Sequence, residues 1–378
     1  STGSANTAVG FNALLNNTQD GNTAVGYLAL TTNTTGQANT AMGYNSLATN
    51  NASYNSAYGY NSLLGNTSGD FNSAFGYSAL FANSTGTTDA AFGADALGFN
   101  LSGSDNCAFG YGAMLTNQTG NNNVAVGSSA ALAALAASNV TAIGYQALRV
   151  NTVDNGTAVG YLALTANTDG TQNTAVGTQA LAANVHGFNN TAVGYQALTA
   201  NTGTTNTAFG NKALSASTGT SNNTAIGASA GQVNTIGNSN TYVGNNANPS
   251  ANNFNNATAI GSGSIATASN MIQLGDLNVT LVSTFGAIST PQLRGAAANH
   301  YAEQHTVAAG EIAGNVATIA NTVVAAATSV VVATLVSNGA GGTASVVKRV
   351  TAAAGTVSIT FDNPPVAGDV VNYIVVNP

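Results

Sequence analysis

Polar and apolar residues recur along this chain in one fixed order. The unit Asn-Thr-Ala-(Val/Ile/Phe)-Gly-Tyr-x-Ala-Leu returns sixteen times between residue 6 and about residue 261, anchored by glycines from Gly10 to Gly261. Eleven of the fifteen spacings between these glycines are 17 residues and four are 16. Self-similarity at so short a period makes each unit one coil of a solenoid, too small to bury a core alone and stabilised by stacking on its neighbours. Within a coil, Thr23-Ala24-Val25-Gly26-Tyr27 has the two-residue period and the β-branched content of a strand. Leu28-Ala29-Leu30 is expected to form a second short strand, and Thr31 to Ala38, rich in Asn, Thr and Gly, a polar turn leading to the next coil. The predicted fold is all-β, a parallel β-solenoid of 16 or 17 residues per coil with a small C-terminal antiparallel β domain.

Two rows hold small residues. Two positions before the glycine (−2) stands Ala in every coil except at Tyr242, and three positions after it (+3) stands Ala or Ser. Small residues in both rows imply a narrow, packed interior with no room for a ligand. Large apolar residues form two further rows, Val9, Val25, Met42, Tyr58 and Phe75 at −1 and Leu14, Leu30, Leu47 and Leu63 at +4. One of these is expected on an outer face, where so long an apolar stripe cannot stay in water. Burial against identical copies in a closed homotrimer is the expected solution. Stacked at about 4.8 Å per coil, sixteen coils make a shaft of roughly 75 Å.

Composition sharpens this reading. Charged residues make up 4% of the chain, against roughly 25% in ordinary soluble domains, so solubility is expected to rest on Asn, Thr, Ser and Gly. A net charge of −7 with five basic residues leaves no electrostatic footprint for nucleic acid, and the longest apolar stretch of the C-terminal part, Val323 to Val336, is broken by Thr328, Ser329 and Thr334 and is too short to insert in a membrane. The lone Cys107 excludes a disulfide framework. Ser1-Thr2-Gly3 holds the place of Ser217-Thr218-Gly219 before a later coil, so the chain reads as a piece of a longer protein.

The segment Asn22-Thr23-Ala24-Val25-Gly26 and its relatives resemble the coils of trimeric autotransporter adhesin heads. That resemblance implies a left-handed parallel β-roll, three rolls to a fibre, although the head coils are shorter than those here. The longer unit Asn-Thr-Ala-Val-Gly-Tyr-Gln-Ala-Leu at 190–198 is similar to coils of bacteriophage fibre proteins.

The pattern divides the chain into a repeat shaft (1–269), terminating coils that cap it (270–289), a linker or neck (290–305) and a tip domain (306–378). Strands are expected at 316–324, 329–335, 345–350, 357–361 and 370–376, and this order resembles the C-terminal tip of many phage tail fibres. The resemblances imply a virion fibre, from a phage tail or head, whose partners are its own copies, other virion proteins through a preceding segment, and a host-surface glycan or protein receptor. The alternative is a bacterial cell-surface adhesin or extracellular filament subunit. Distal loops on a rigid scaffold are where contact chemistry sits, which singles out Asn338, Gly339, Gly341 and Gly342 in one loop and Asp362, Asn363, Pro364, Pro365 and Asp369 in another.

Catalytic chemistry is sparse, so no enzyme is expected. A polysaccharide depolymerase needs two carboxylates across a glycosidic bond; Asp20, Asp70 and Asp154 stand alone in turns, and Asp89 with Asp95 is the best pair on offer. His300, Glu303 and His305 form the only cluster with ligand chemistry, a weak metal candidate whose spacing matches no strong motif, and His186 stands alone in a turn. No cofactor is implied. The Tyr row at +1 is expected to pack against neighbouring coils or chains, with a carbohydrate-stacking strip as the alternative.

Overall fold

The computed structural model describes residues 3–276, residue 278 and eight strands within 293–376. The chain divides into two compact units, Ser1–Val282 and Ser283–Pro378. The first is a parallel β-roll, and no helix occurs among the described residues. Each coil contributes one three-residue strand, and seventeen of them build a single parallel sheet. Thr23–Val25 lies between Thr7–Val9 and Thr40–Met42 with Ala24 level with Ala8 and Ala41, and this register holds to Thr258–Ile260 and Ile272–Leu274 at the far end. In-register stacking explains the anchor glycine. A Cβ at Gly26 (φ 144°) would lie 2.3 Å from the carbonyl oxygen of Gly43 in the next coil, so no side chain fits.

Leu28-Ala29-Leu30 is a stacked turn, correcting the expected second strand. Strand geometry points successive side chains to opposite faces, yet Ala29 and Leu30 are both fully buried. Left-handed conformations at Leu28 (φ 56°) and Leu30 (φ 50°) turn both inward. Inter-coil bonds offset the cost of these conformations, about 1–2 kcal/mol each. The Leu28 N–H donates to Phe11 O in the preceding coil (2.9 Å), and the Leu30 N–H donates to Ser46 O in the following one (3.1 Å). The turn side of the described roll becomes a ladder only where Asn248–Pro249 pairs with Ile265–Ala266.

The interior has two walls. Ala at −2, Ala or Ser at +3 and Leu at +4 fill one, so the Leu row is inside and the −1 row is the large row left outside. Asparagine fills the other. Asn33 and Gly36 of the expected polar turn and Asn39 just after it are all buried, as are their counterparts in most coils. The amides therefore do not dress the surface as the composition suggested. Asn22 Oδ1 accepts the Asn39 N–H of the next coil (2.9 Å), and Asn39 Oδ1 accepts the Asn55 N–H (2.9 Å). Each Nδ2 of this row reaches a loop carbonyl one coil on, as from Asn22 to Gly36 (3.0 Å) and Asn72 to Gly86 (2.8 Å). The second row runs amide to amide, Asn66 to Asn50 (2.6 Å), Asn83 to Asn66 (3.0 Å), Asn100 to Asn83 (2.9 Å) and Asn117 to Asn100 (2.9 Å). These bonds satisfy a loop backbone that would otherwise be buried without partners. The shorter coils drop their residue here: Asn33 Nδ2 caps the carbonyl three residues on, while Asn50 Nδ2 caps the one two residues on.

In the second unit, Leu293–Arg294, His300–Thr306, Val370–Val376 and Val330–Ser337 form one four-stranded sheet, and Ile312–Ala313, Val316–Ala320, Thr356–Phe361 and Val347–Ala353 another. All pairings there are antiparallel. His300–Thr306 falls mostly in the segment read from sequence as a neck.

Candidate functional site

The outward face of the roll carries the chemistry. At the end of each strand, the −1 row (Val9, Met42, Phe109, Ile143, Phe209 and their counterparts) contains no buried residue from Val9 to Leu274. Across the anchor glycine, the +1 row presents Phe11, Tyr27, Tyr44, Tyr60 and Tyr77, all exposed. Because coils stack in register, like side chains stack too. Phe11, Tyr27, Tyr44, Tyr60 and Tyr77 form a ladder with ring centroids 5.4, 4.9, 5.0 and 5.4 Å apart and planes within 12°. A second ladder, Tyr58, Phe75, Phe92 and Phe109, has spacings of 4.5, 4.7 and 4.4 Å. Rings inside a ladder have both faces covered by their neighbours and offer solvent only their edges. Sugar stacking on the inner rings, Tyr27, Tyr44 and Tyr60, is therefore blocked, and this part of the row packs coil on coil.

The singled-out acidic residues are dispersed. Asp20, Asp70 and Asp154 each accept a backbone N–H from the preceding coil, from Ser4 (2.5 Å), Ser53 (2.7 Å) and Ser138 (2.7 Å), and so tie turns together. Asp89 and Asp95 do not form a pair. Asp95 lies on the outer turn, half-buried, whereas Asp89 replaces an asparagine of the interior wall. Asp89 Oδ1 accepts the Asn106 N–H (2.9 Å) and its Oδ2 accepts Asn100 Nδ2 (3.0 Å). Burial raises its pKa from the ordinary aspartate value to about 7, opposed by the hydrogen bonds from Asn106 and Asn100 and reinforced by Asp105.

His186 is not alone, as its sequence position suggested. Its Nδ1 lies 2.6 Å from Asp169 Oδ1, one coil below. Both side chains are well exposed, so the pair adds little stability. The separation of 17 residues, one coil, was the signal that could have linked them. His300, Glu303 and His305 occupy strand His300–Thr306, with the two histidines at positions of opposite parity. Among the described residues no three His, Cys, Asp or Glu side chains gather as a metal site, and no helix is long and apolar enough to cross a membrane. The loop residues Asn338, Gly339, Gly341, Gly342, Asp362, Asn363, Pro364, Pro365 and Asp369 lie outside the described residues.

Fold and surface together define a β-roll repeat protein with an uncovered apolar face. No protein-family profile matches the chain, and no curated protein matches it significantly.

Proposed function

We propose that this chain is a structural, non-enzymatic fibre protein: a homotrimeric spacer of a virion, in a phage tail or head fibre, whose C-terminal unit meets a glycan or protein receptor on the host surface. One observation carries the reading. The −1 row runs uncovered along all seventeen strands, and a continuous apolar stripe of that length calls for a partner surface of the same length and period. A second and third copy supply one, and a closed threefold ring leaves no stripe exposed. The scarcity of charge and the amide-bonded interior suit a long-lived extracellular rod.

Mass measurement of the purified particle by light scattering, with an electron micrograph, tests this. The expected result is three chains per particle and straight rods; a monomer at micromolar concentration overturns the packing argument. End-to-end polymers would favour the cell-surface filament instead. Alanine replacement across 338–343 and 362–369 is expected to abolish host-cell attachment, and unchanged attachment would move the receptor site elsewhere.

A further inference from the structure

The aromatic +1 row is interrupted at Ala94, Ser128 and Thr178, and its longest ladder ends at the first of these. After Tyr77 the row continues with Ala94 and then Tyr111, so one rung is missing between two rings two coils, or about 10 Å, apart. Tyr60 covers one face of Tyr77 at 5.4 Å, but the next coil brings only a methyl group toward the other. Tyr77 is accordingly 57% exposed, against 46% for Tyr60.

Beside Tyr77 lies a trough of about 280 Å³. Its walls include Tyr77, Phe81, Phe99 and Leu115, and its depth depends on Gly98, where a Cβ would come within 2.9 Å of Leu115 Cδ1. Three consecutive coils line it with polar residues from one row, Asn61, Ser78 and Asp95. Ser78 and Asp95, both half-buried, supply its acceptors.

We infer that this trough binds a pyranose ring, its C–H face on Tyr77 beside the vacant rung and its hydroxyls donating to Asp95 and Ser78. An aromatic platform beside clustered acceptors matches an amphipathic ring edged with O–H groups. A purely aromatic ligand would leave the acceptors unmet. An organic ammonium ion concentrates its donors at one point, whereas these acceptors are spread over two coils. All the groups belong to one chain, so the inference is independent of the trimer and virion readings; it places a glycan contact on the shaft.

The test is saturation-transfer NMR on the full chain with methyl glycosides of glucose, galactose, mannose and N-acetylglucosamine, and with n-butylammonium as a separate arm. At least one glycoside is expected to bind with a Kd of about 1 mM, near −4 kcal/mol. Ala94→Tyr, which restores the missing ring, is expected to weaken binding at least tenfold. Asp95→Leu removes an acceptor at a row position where Leu28 and Leu162 are already tolerated, and should do the same. Circular dichroism and thermal melting would establish that both variants fold. Transfer from none of the glycosides, transfer from n-butylammonium alone, or undiminished binding by folded Ala94→Tyr would overturn the inference. A monomeric particle that still binds the glycoside would reject the fibre reading alone.

Discussion

The two walls of the roll obey different rules, and each contains its own natural exception. In the hydrocarbon wall, Tyr242 stands where the other fifteen repeat coils have Ala, and Gly231 stands where the preceding coils place Leu, or Met at Met114 and Ala at Ala131. The exchanges compensate: a Cβ on Gly231 would sit 2.6 Å from Tyr242 Cδ2 and 2.8 Å from Leu214 Cδ2, so the tyrosine ring occupies the space a side chain at 231 would need. Volume is what this wall preserves. The amide wall changes differently. Where its asparagines stop, Ala134, Ala137 and Val140 replace Asn, Gly and Asn together, and Asn117 Oδ1 at the junction is left without a donor. Bonding is what that wall preserves, and a change at one position leaves a neighbour unsatisfied.

Four experiments press on this contrast. Tyr242→Ala is expected to be the most damaging, costing up to about 5 kcal/mol as a cavity opens, and Gly231→Leu in the same chain should restore much of the loss. The φ of 64° at Gly231 is close to the 50° at which Leu214 already sits, so a leucine there carries the same left-handed cost that the row already bears. Denaturant midpoints of the single and double variants read the coupling, and additive losses would contradict volume exchange.

Asp89 gives the amide wall a pH dependence. Its folded pKa, about 7, lies above its ordinary value of 3.8. The native state therefore holds a proton that the unfolded chain releases, and the contribution is complete below about pH 4, declines as pH rises through 7 and is flat above. At roughly 1.4 kcal/mol per unit, the decline is on the order of 4 kcal/mol. Asp89→Asn restores the ladder amide and should flatten the profile, measured as melting temperature from pH 4 to pH 9.

Asn83→Leu keeps approximate volume but removes the donor that Asn66 Oδ1 receives at 3.0 Å; a loss of about 2 kcal/mol is expected, localised by hydrogen exchange to the flanking coils. Ala134→Asn offers a donor to the orphaned Asn117 oxygen and is expected to gain about 1 kcal/mol. No gain would show that the apolar set at 134, 137 and 140 is self-sufficient.

Much of the roll was legible in the sequence because its period, its strand and its small-residue row are all carried by side-chain size. Two features were misread for physical reasons. Ala29 and Leu30 are adjacent and nearly invariant in size from coil to coil, a pattern no strand can bury on one face, but the left-handed residues that achieve it are leucines, which sequence rules do not expect there. The inward asparagines were hidden by polarity; their signal was position, since an amide returning to one slot through so many coils is too regular for a solvated turn. The trough beside Tyr77 was missed because its residues lie one coil apart in a row, so they read as isolated until the register aligns them. The loops expected to contact a receptor fall outside the described residues and gain no structural account.

The one-residue tolerance of the loop, where Asn50 caps a carbonyl two residues away and Asn33 one three residues away, bears on how such a chain can change. Each coil offers the next one the same donors and acceptors that it meets in the one before, so excising residues 93–109 should remove one graduation and leave both ends intact. Reach is then written in the gene as a tally of whole turns, and duplication or loss of one turn adjusts it without a new fold.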